Sequence, residues 1–288
     1  MKWGHSSFRC HRAGAAVLAL AALTPAVAAP ATPLFTDDFE AHPAGQLPGA
    51  PWKEEMYNSG AVIKVDGEHA FSGRQAMHIL TPSDANKRRG YVAIHLKGPL
   101  PQLQSEMYGR LMAWLDEVPL GWGPNGGLSL HAQVSTHWTL LQGEGRSADD
   151  RYNSIYRLGL WEQSGTQLMA NFETTPPVKT DCVKQSKRSL PVRRWACVEW
   201  HMAVASNEMQ FWIDGKPITH VKDSAGPKAC GGHDLQDRWL APPRFDSLYV
   251  GFERYGDTMN DQNLWIDDVA LGQQRIGCPA APNAKETK

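Results

Sequence analysis

Short runs in which apolar and polar residues alternate recur along most of the chain, and clusters of Gly, Pro, Asn and Asp separate them. This two-residue period is typical of half-buried β-strands, whereas a helical period is almost absent. The dipeptide Asp214-Gly215, between Trp212 and Ile218, is a strong signal for a tight hairpin. Many short strands at this spacing predict an all-β chain that forms an antiparallel β-sandwich of the jelly-roll type. The predicted strands are Ala76–Leu80, Tyr91–His95, Met107–Leu115, Val134–Leu141, Ile155–Trp161, Gln167–Phe172, Cys197–Ala205, Met209–Asp214, Ser247–Glu253 and Leu264–Leu271.

The composition excludes several classes of protein. The 288 residues carry 29 Lys+Arg against 30 Asp+Glu, a formal net charge of −1, so binding to nucleic acid by broad phosphate neutralisation is not expected. A hydrophobic content of 42% with 20% charged residues excludes a disordered chain. The chain has no internal repeat and no low-complexity linker, so we expect one globular domain and a monomer.

The N-terminal residues have the pattern of a secretory signal peptide. Lys2, Arg9 and Arg12 precede an apolar run over residues 13–27, which is short for the alternative, a membrane anchor. Ala26-Val27-Ala28 has the form of a cleavage site. We therefore expect a secreted protein, periplasmic or extracellular, without a membrane partner. The predicted segments are a signal peptide over 1–28, a single jelly-roll domain over 29–278 and a polar, disordered tail over 279–288.

Four cysteines lie beyond the predicted signal peptide, which itself contains Cys10. An even number in an exported chain indicates disulfides, and the absence of any Cys-x-x-Cys pair argues against zinc. Four cysteines allow three pairings. We expect Cys182–Cys197, which would close a local loop, and Cys230–Cys278, which would tie the C-terminus to a long loop.

One face of the predicted strands is apolar, and the other has an unusual composition. In Met107–Leu115, Leu111 and Leu115 share the apolar face, and Arg110 lies on the other. This second face mixes Arg, His, Asn, Gln, Tyr and Trp, which suits a sugar-binding groove because aromatic rings stack on pyranoses and polar groups bind hydroxyls. A merely amphipathic sheet with exposed aromatic rings is the alternative. The candidate substrate-binding residues are Tyr108, Trp114, Arg157, Asn171, Glu173, Glu199, Gln210, Trp212, Glu253 and Tyr255.

Several short motifs follow one another in an order known from one family. They are Asp37-Asp38-Phe39-Glu40, Ala70-Phe71-Ser72-Gly73, Gly109-Arg110, His137-Trp138, Ala170-Asn171-Phe172-Glu173, Arg194-Trp195-Ala196-Cys197-Val198-Glu199-Trp200, Trp212-Ile213-Asp214-Gly215 and Trp265-Ile266-Asp267-Asp268-Val269. Together they resemble the Cip-type core domain, named after a cellulose-induced protein of fungal cellulose degraders. The resemblance implies a concanavalin-like jelly roll with a concave groove and a distant similarity to glucuronan and alginate lyases. It implies a plant- or microbe-derived polysaccharide as the partner, and polymers that contain uronic acid are among the candidates.

The same resemblance implies a structural calcium site. In this type of jelly roll an early Phe-Glu and a late Ile-Asp-Asp-Val lie side by side and share a cation. Glu40 and Asp267 would supply the charge, and Ser72 and Gln75 would complete the oxygen shell that calcium prefers. Two surface carboxylates without a metal are the alternative.

A polysaccharide lyase is the first activity that fits such a groove. β-Elimination requires the carboxylate of a uronic acid to be neutralised, together with a base and an acid for proton transfer. Arg110 and His137 are the candidates for neutralisation, aided by Asn171 and Gln210. Tyr249 is the candidate for proton transfer, with Tyr255 and His137 as alternatives.

Two other activities use overlapping residues. A glycoside hydrolase needs two carboxylates across the scissile bond, and Glu173, Glu199 and Glu253 are the candidates. The Glu-x-Asp-x-x-Glu signature of jelly-roll glucanases is absent, so hydrolysis ranks below elimination. A non-catalytic binding protein needs stacking rings such as those of Trp114 and Trp212. Because the same residues serve a lyase and a binding protein, the sequence leaves both interpretations open.

Overall fold

The computed structural model describes residues 1, 32–55, 60–83, 89–118, 121–122, 128–129, 137–147, 149, 151–161, 167–175, 180–222, 241–255 and 260–280, with the backbone alone at several strand ends. Within this part of the chain the structure consists of strands and turns, with one short 3-10 helix at Pro101–Leu103. No helix among these residues is long and apolar enough to cross a membrane. The predicted signal peptide, apart from Met1, lies outside the described residues, as does most of the predicted tail.

Strands account for most of the described residues. Their alternating sequences, rich in Val, Ile, Leu, Trp, Tyr and Phe, suit a pleated surface with one buried face. The strands are β1 (Phe35–Asp37), β2 (Lys53–Glu55), β3 (Val62–Asp66), β4 (Ala76–Thr81), β5 (Arg89–His95), β6 (Glu106–Leu115), β7 (Gly121–Trp122), β8 (Leu128–Ser129), β9 (His137–Arg146), β10 (Asn153–Trp161), β11 (Gln167–Thr175), β12 (Thr180–Ser189), β13 (Trp195–Ala203), β14 (Glu208–Ile213), β15 (Lys216–Lys222), β16 (Ser247–Tyr255) and β17 (Gln262–Gly272).

Two large antiparallel sheets contain nearly all of these strands. The first sheet has eight strands in the order β15-β14-β13-β6-β17-β4-β3, with β1 paired to β17. The second sheet has seven strands in the order β12-β11-β10-β9-β16-β5-β2, and β7 pairs with β8 in a separate hairpin. Strands that are neighbours in space are often distant in sequence, as expected for a jelly roll. The predicted antiparallel β-sandwich is confirmed.

The hydrophobic core lies between the two sheets. In β6, Leu111 and Leu115 are fully buried, and so are Leu168 and Phe172 in β11 of the other sheet. Burying a side chain of this size stabilises the fold by about 1.5–3 kcal/mol. The inner face predicted for β6 is confirmed, and in both strands the intervening residues lie on the outer faces of the sandwich.

The connection between β14 and β15 is the predicted hairpin. Asp214 and Gly215 have φ values of 50° and 74°, and two consecutive positive values are what a tight turn between twisted strands requires. The Asp214 carboxylate accepts a hydrogen bond of 3.0 Å from the backbone N–H of Cys197 and one of 2.9 Å from Arg194. Asp214 is therefore a turn residue that ties the hairpin to β13.

The structure corrects the expected cysteine pairing. Cys197 in β13 forms a disulfide with Cys278, across a sequence separation of 81 residues and a Cα–Cα distance of 5.8 Å. The expected Cys182–Cys197 and Cys230–Cys278 pairs are wrong. Closeness in sequence misled the prediction, because Cys182 lies in an edge strand of the second sheet and Cys197 lies in the first. Cys230 and the side chain of Cys182 lie outside the described residues.

Candidate functional site

The residues predicted to line one groove divide between the outer faces of the two sheets. Those in the first sheet are Tyr108, Arg110, Trp114, Glu199, Gln210 and Trp212. Those in the second sheet are Arg157, Asn171, Glu173, Tyr249 and Glu253, and the backbones of His137 and Tyr255 belong to the same sheet. The core separates the two faces, so the structure does not bring the two sets together. Alternation places a residue on an outer face without specifying the sheet.

The C-terminal segment covers part of the outer face of the first sheet. Arg275 makes a bidentate ion pair with Glu199, with distances of 3.0 and 2.8 Å, and its guanidinium lies 4.5 Å from the ring centroid of Trp212. Arg110 donates a 3.1 Å hydrogen bond to the carbonyl of Gly277. The Cys197–Cys278 disulfide fixes the end of the same segment. Arg110, Glu199 and Trp212 therefore hold the C-terminal segment in place.

Other predicted residues on this face are packed against their neighbours. Tyr108 stacks on His201 at 4.1 Å between ring centroids, and Trp114 stacks on His69 at 4.3 Å. Burial, with the charges of Glu106 and Glu208, raises the pKa of Tyr108. A phenol that is harder to ionise is a poor general base. Gln210 lies opposite His201 and His220 in the register of the sheet.

A buried arginine lies at the centre of the outer face of the second sheet. Arg157 in β10 pairs in register with Gln142 of β9 on one side and with Asn171 of β11 on the other. Its guanidinium donates hydrogen bonds of 3.0 Å to the side-chain oxygens of both residues and one of 2.5 Å to Glu173. Arg157 is 8% exposed, Asn171 7% and Gln142 4%. Burial this deep on an outer face is costly for a charge, and these bonds stabilise it.

The hydrogen bonds continue from Gln142 to a second carboxylate. Glu144, next on the same face of β9, accepts a 2.9 Å bond from the amide of Gln142 and a 2.8 Å bond from the amide of Asn153. We refer to these six side chains as the Arg157 network. Its members are Gln142, Glu144, Asn153, Arg157, Asn171 and Glu173.

Aromatic rings lie beside the Arg157 network. Tyr249 in β16 pairs in register with Gln142, and its ring lies 5.9 Å from that of Tyr91. The Glu253 side chain is buried further along β16. The side chains of His137 and Tyr255 lie outside the described residues, although their backbones pair with each other. The second sheet therefore brings together Arg157, Asn171, Glu173 and Tyr249 from the predicted set.

Sequence reasoning missed the β9 part of the network. The predicted strand ended at Leu141, whereas β9 continues to Arg146. The sequence does contain a signal for this extension, because Gln142 and Glu144 continue the alternation and are followed by Gly143 and Gly145 respectively. These glycines leave no room for side chains, since a Cβ on Gly143 would lie 2.7 Å from the sulfur of Met202. Glycine lowers strand propensity, which explains why the end of the strand was placed too early.

The residues predicted to bind calcium converge on one turn at the edge of the first sheet. Glu40 accepts hydrogen bonds of 2.7 and 2.8 Å from the backbone N–H groups of Arg74 and Gln75. Asp267 accepts bonds of 2.8 and 3.1 Å from those of Phe71 and Ser72. Both carboxylates therefore bind the same stretch of chain, residues 71–75.

The chemistry of this turn suits a hard cation. Asp267 is fully buried, and burial raises its pKa to about 7 even though three backbone N–H groups donate to its carboxylate. A buried carboxylate whose ionised form is disfavoured is stabilised by a neighbouring cation. Glu40, Ser72, Gln75 and Asp267 offer oxygen donors, as calcium requires. By donor type alone, these residues fit calcium.

A family comparison agrees with this architecture. Residues 164–274 match the family model described as Polysacc_lyase-like: Cip1-like, core domain. The predicted Cip-type resemblance is confirmed. Of the candidate residues on the second sheet, Asn171, Glu173 and Tyr249 fall within the matched segment, and Gln142 and Arg157 precede it.

Solved structures with the same fold include two that act as useful references. The cellulose induced protein Cip1 is 16% identical with a TM-score of 0.58, and the match covers 85% of this chain and 100% of that chain. An endo-β-1,4-glucuronan lyase from the fungus Trichoderma reesei is 13% identical with a TM-score of 0.54, covering 84% of this chain and 96% of that chain. At these identities the similarity concerns the fold. No curated protein sequence matches the chain.

Proposed function

We propose that this protein is a carbohydrate-active protein that binds a polysaccharide across the outer face of the second sheet. The observation that carries the proposal is the Arg157 network, a set of mutually bonded polar side chains on the face that points away from the core, of which Gln142, Arg157 and Asn171 are buried. Polar groups held rigidly in this way bind sugar hydroxyls without first losing conformational freedom. The rings of Tyr91 and Tyr249 lie on the same sheet, and Tyr249 is in position to stack on a sugar.

The first test compares two matched glutamines. Gln142→Ala removes one partner of Arg157 on the second sheet, and Gln210→Ala removes a glutamine on the outer face of the first. We expect Gln142→Ala to weaken binding to a soluble β-1,4-glucan about fivefold, since a lost hydrogen-bonding pair costs roughly 1 kcal/mol. Gln210→Ala should leave the affinity unchanged. Affinity electrophoresis measures both, and thermal melting confirms that both variants fold.

The opposite result has a clear meaning. If Gln210→Ala weakens binding and Gln142→Ala does not, the polysaccharide binds to the first sheet, and the proposed site is wrong. In that case the residues around the C-terminal segment, such as Trp212, become the candidates.

Cleavage of a polyuronate by β-elimination is the second candidate function. The observation that favours it is a row of three residues across β10, β9 and β16. Gln142 in β9 lies opposite Arg157 in β10 on one side and opposite Tyr249 in β16 on the other. Elimination needs a group that neutralises the uronate and a group that transfers a proton, and this row contains both types. Incubation with glucuronan, alginate or pectate should then produce ultraviolet absorbance from the unsaturated product. Tyr249→Phe should abolish that signal.

We also propose that the protein binds calcium and that it is secreted. Calcium would bind at Glu40, Ser72, Gln75 and Asp267 and pin both ends of the domain to one turn. We expect added calcium to raise Tm, a chelator to lower it, and Asp267→Asn to abolish the difference. Magnesium is the control, and a Tm that does not respond to calcium would contradict the site.

The Cys197–Cys278 disulfide supports export to an oxidising compartment.

A further inference from the structure

The positive charge of Arg157 already has a negative partner within the protein. One nitrogen of its guanidinium donates both to Asn171, at 3.0 Å, and to Glu173, at 2.5 Å. A carboxylate at this distance from a guanidinium forms a charge-assisted hydrogen bond, the strongest class of hydrogen bond that side chains make. The carboxylate of Glu173 therefore neutralises the positive charge of Arg157 before any uronate binds.

Glu173 lies on the solvent side of this pair. Its side chain is 24% exposed, whereas that of Arg157 is 10% exposed. In the register of the sheet, Arg157 lies opposite Asn171, so Glu173 reaches it diagonally from the next residue on the same face. An anionic ligand approaching Arg157 from solvent meets the Glu173 carboxylate first.

A second carboxylate, that of Glu144, lies on the same face two strands away from Glu173. Glu144 and Glu173 both lie opposite Ile155, one on each side of it. Glu144 binds the amides of Gln142 and Asn153, so its charge faces the same surface. A polyanion laid across Ile155 would have a carboxylate on either side. A neutral sugar would meet oxygen acceptors suited to its hydroxyls.

We propose that Glu173 determines the charge specificity of the polysaccharide site. As the built-in partner of Arg157, it makes the site select neutral polysaccharides and reject polyuronates. This inference rests on the proposed binding function of the second sheet. It follows that Glu173 would have to move away from Arg157 before the protein could carry out elimination on a uronate.

Two polymers that differ at one carbon test the proposal. A soluble β-1,4-glucan and β-1,4-glucuronan share the same linkage, and the second has a carboxylate where the first has a hydroxymethyl group. We expect the wild-type protein to bind the glucan at least about tenfold more tightly. Glu173→Gln should raise the ratio of glucuronan affinity to glucan affinity about tenfold or more. The gained affinity should fall as salt is added, because it comes from the attraction between Arg157 and the carboxylates of the polymer.

The controls separate charge from folding. Glu106→Gln is the matched variant, because Glu106 pairs with His201 on the first sheet and should leave both affinities unchanged. The double variant Arg157→Gln, Glu173→Gln removes both charges and should lose the glucuronan binding gained by Glu173→Gln. Thermal melting identifies a variant that fails to fold. In that case, the salt dependence of wild-type binding to glucuronan still tests whether charge determines the affinity.

Each outcome is decisive. Equal wild-type affinity for the two polymers, or a Glu173→Gln variant with an unchanged ratio of affinities, would overturn the role of Glu173 and leave the binding function standing. If neither polymer binds to the wild type or to any variant, the proposed function fails and the inference fails with it.

Discussion

Asp66, at the end of β3, organises one edge of the first sheet. Its carboxylate lies 2.7 Å from Nδ1 of His78 and 3.0 Å from the ammonium of Lys64, and it accepts a 3.1 Å hydrogen bond from the indole of Trp265. Burial alone would raise the pKa of Asp66, but the hydrogen bonds from Lys64 and His78 outweigh it and hold the pKa below its ordinary value of 3.8. This residue therefore contributes a stability that depends on pH.

Asp66→Asn should lower the free energy of unfolding at neutral pH by about 1–3 kcal/mol, because it removes a charged acceptor. The folded-state pKa lies below the unfolded one, so the stabilisation is complete above the unfolded value and disappears as pH falls through the folded value. Urea denaturation at neutral pH and at a series of pH values below 3.8 should therefore show the two proteins converging in acid. Asp116→Asn, at a more exposed carboxylate, is the control. A difference that stays constant with pH would contradict the charge argument.

At the scale of elements, β6 and β13 can pair only because Gly109 lacks a side chain. A Cβ at this position would lie 2.0 Å from the ring of Trp200, which is itself almost completely buried. Trp200 is on the neighbouring strand, opposite Gly109 in register. The tryptophan thus fills the core space that any other residue at position 109 would need.

Gly109→Ala should destabilise the protein by about 1–3 kcal/mol, because overpacking forces the ring or the strand to move. Gly98→Ala is the matched control. A Cβ at Gly98 meets nothing within 4 Å, so this variant should be neutral or slightly stabilising. Urea denaturation of both variants measures the difference. A Gly109→Ala variant as stable as the wild type would show that Trp200 can move aside.

At the scale of the whole molecule, the C-terminal segment and the Arg157 network lie on opposite outer faces of the sandwich. Cys278→Ser should cost about 2–4 kcal/mol, since the disulfide with Cys197 closes a long loop. Polysaccharide affinity of the folded variant should be unchanged. The comparison requires thermal melting and affinity electrophoresis on the same preparation. A folded Cys278→Ser protein that no longer binds would place the binding face on the first sheet.

Local pattern was enough to predict the elements and the chemistry of their faces. Alternation in β6 and β11 assigned Arg110 and Asn171 to outer faces, and the structure places them there. The Asp214-Gly215 hairpin was predicted for the same reason, since its geometry depends on two residues alone. β12 was missed, because its sequence, Thr180–Ser189, is polar along an edge of the second sheet.

The sequence by itself therefore determined that this chain is an all-β sandwich with polar and aromatic outer faces, because a two-residue period is a local property. The tertiary structure decided which polar face each residue joins. Arg110 and Arg157 are alike in pattern, yet one holds the C-terminal segment and the other is the centre of the proposed site. The partner of Cys197 was decided in the same way, across 81 residues. Strand order arises from pairing between distant segments, and a local period contains no information about distant partners.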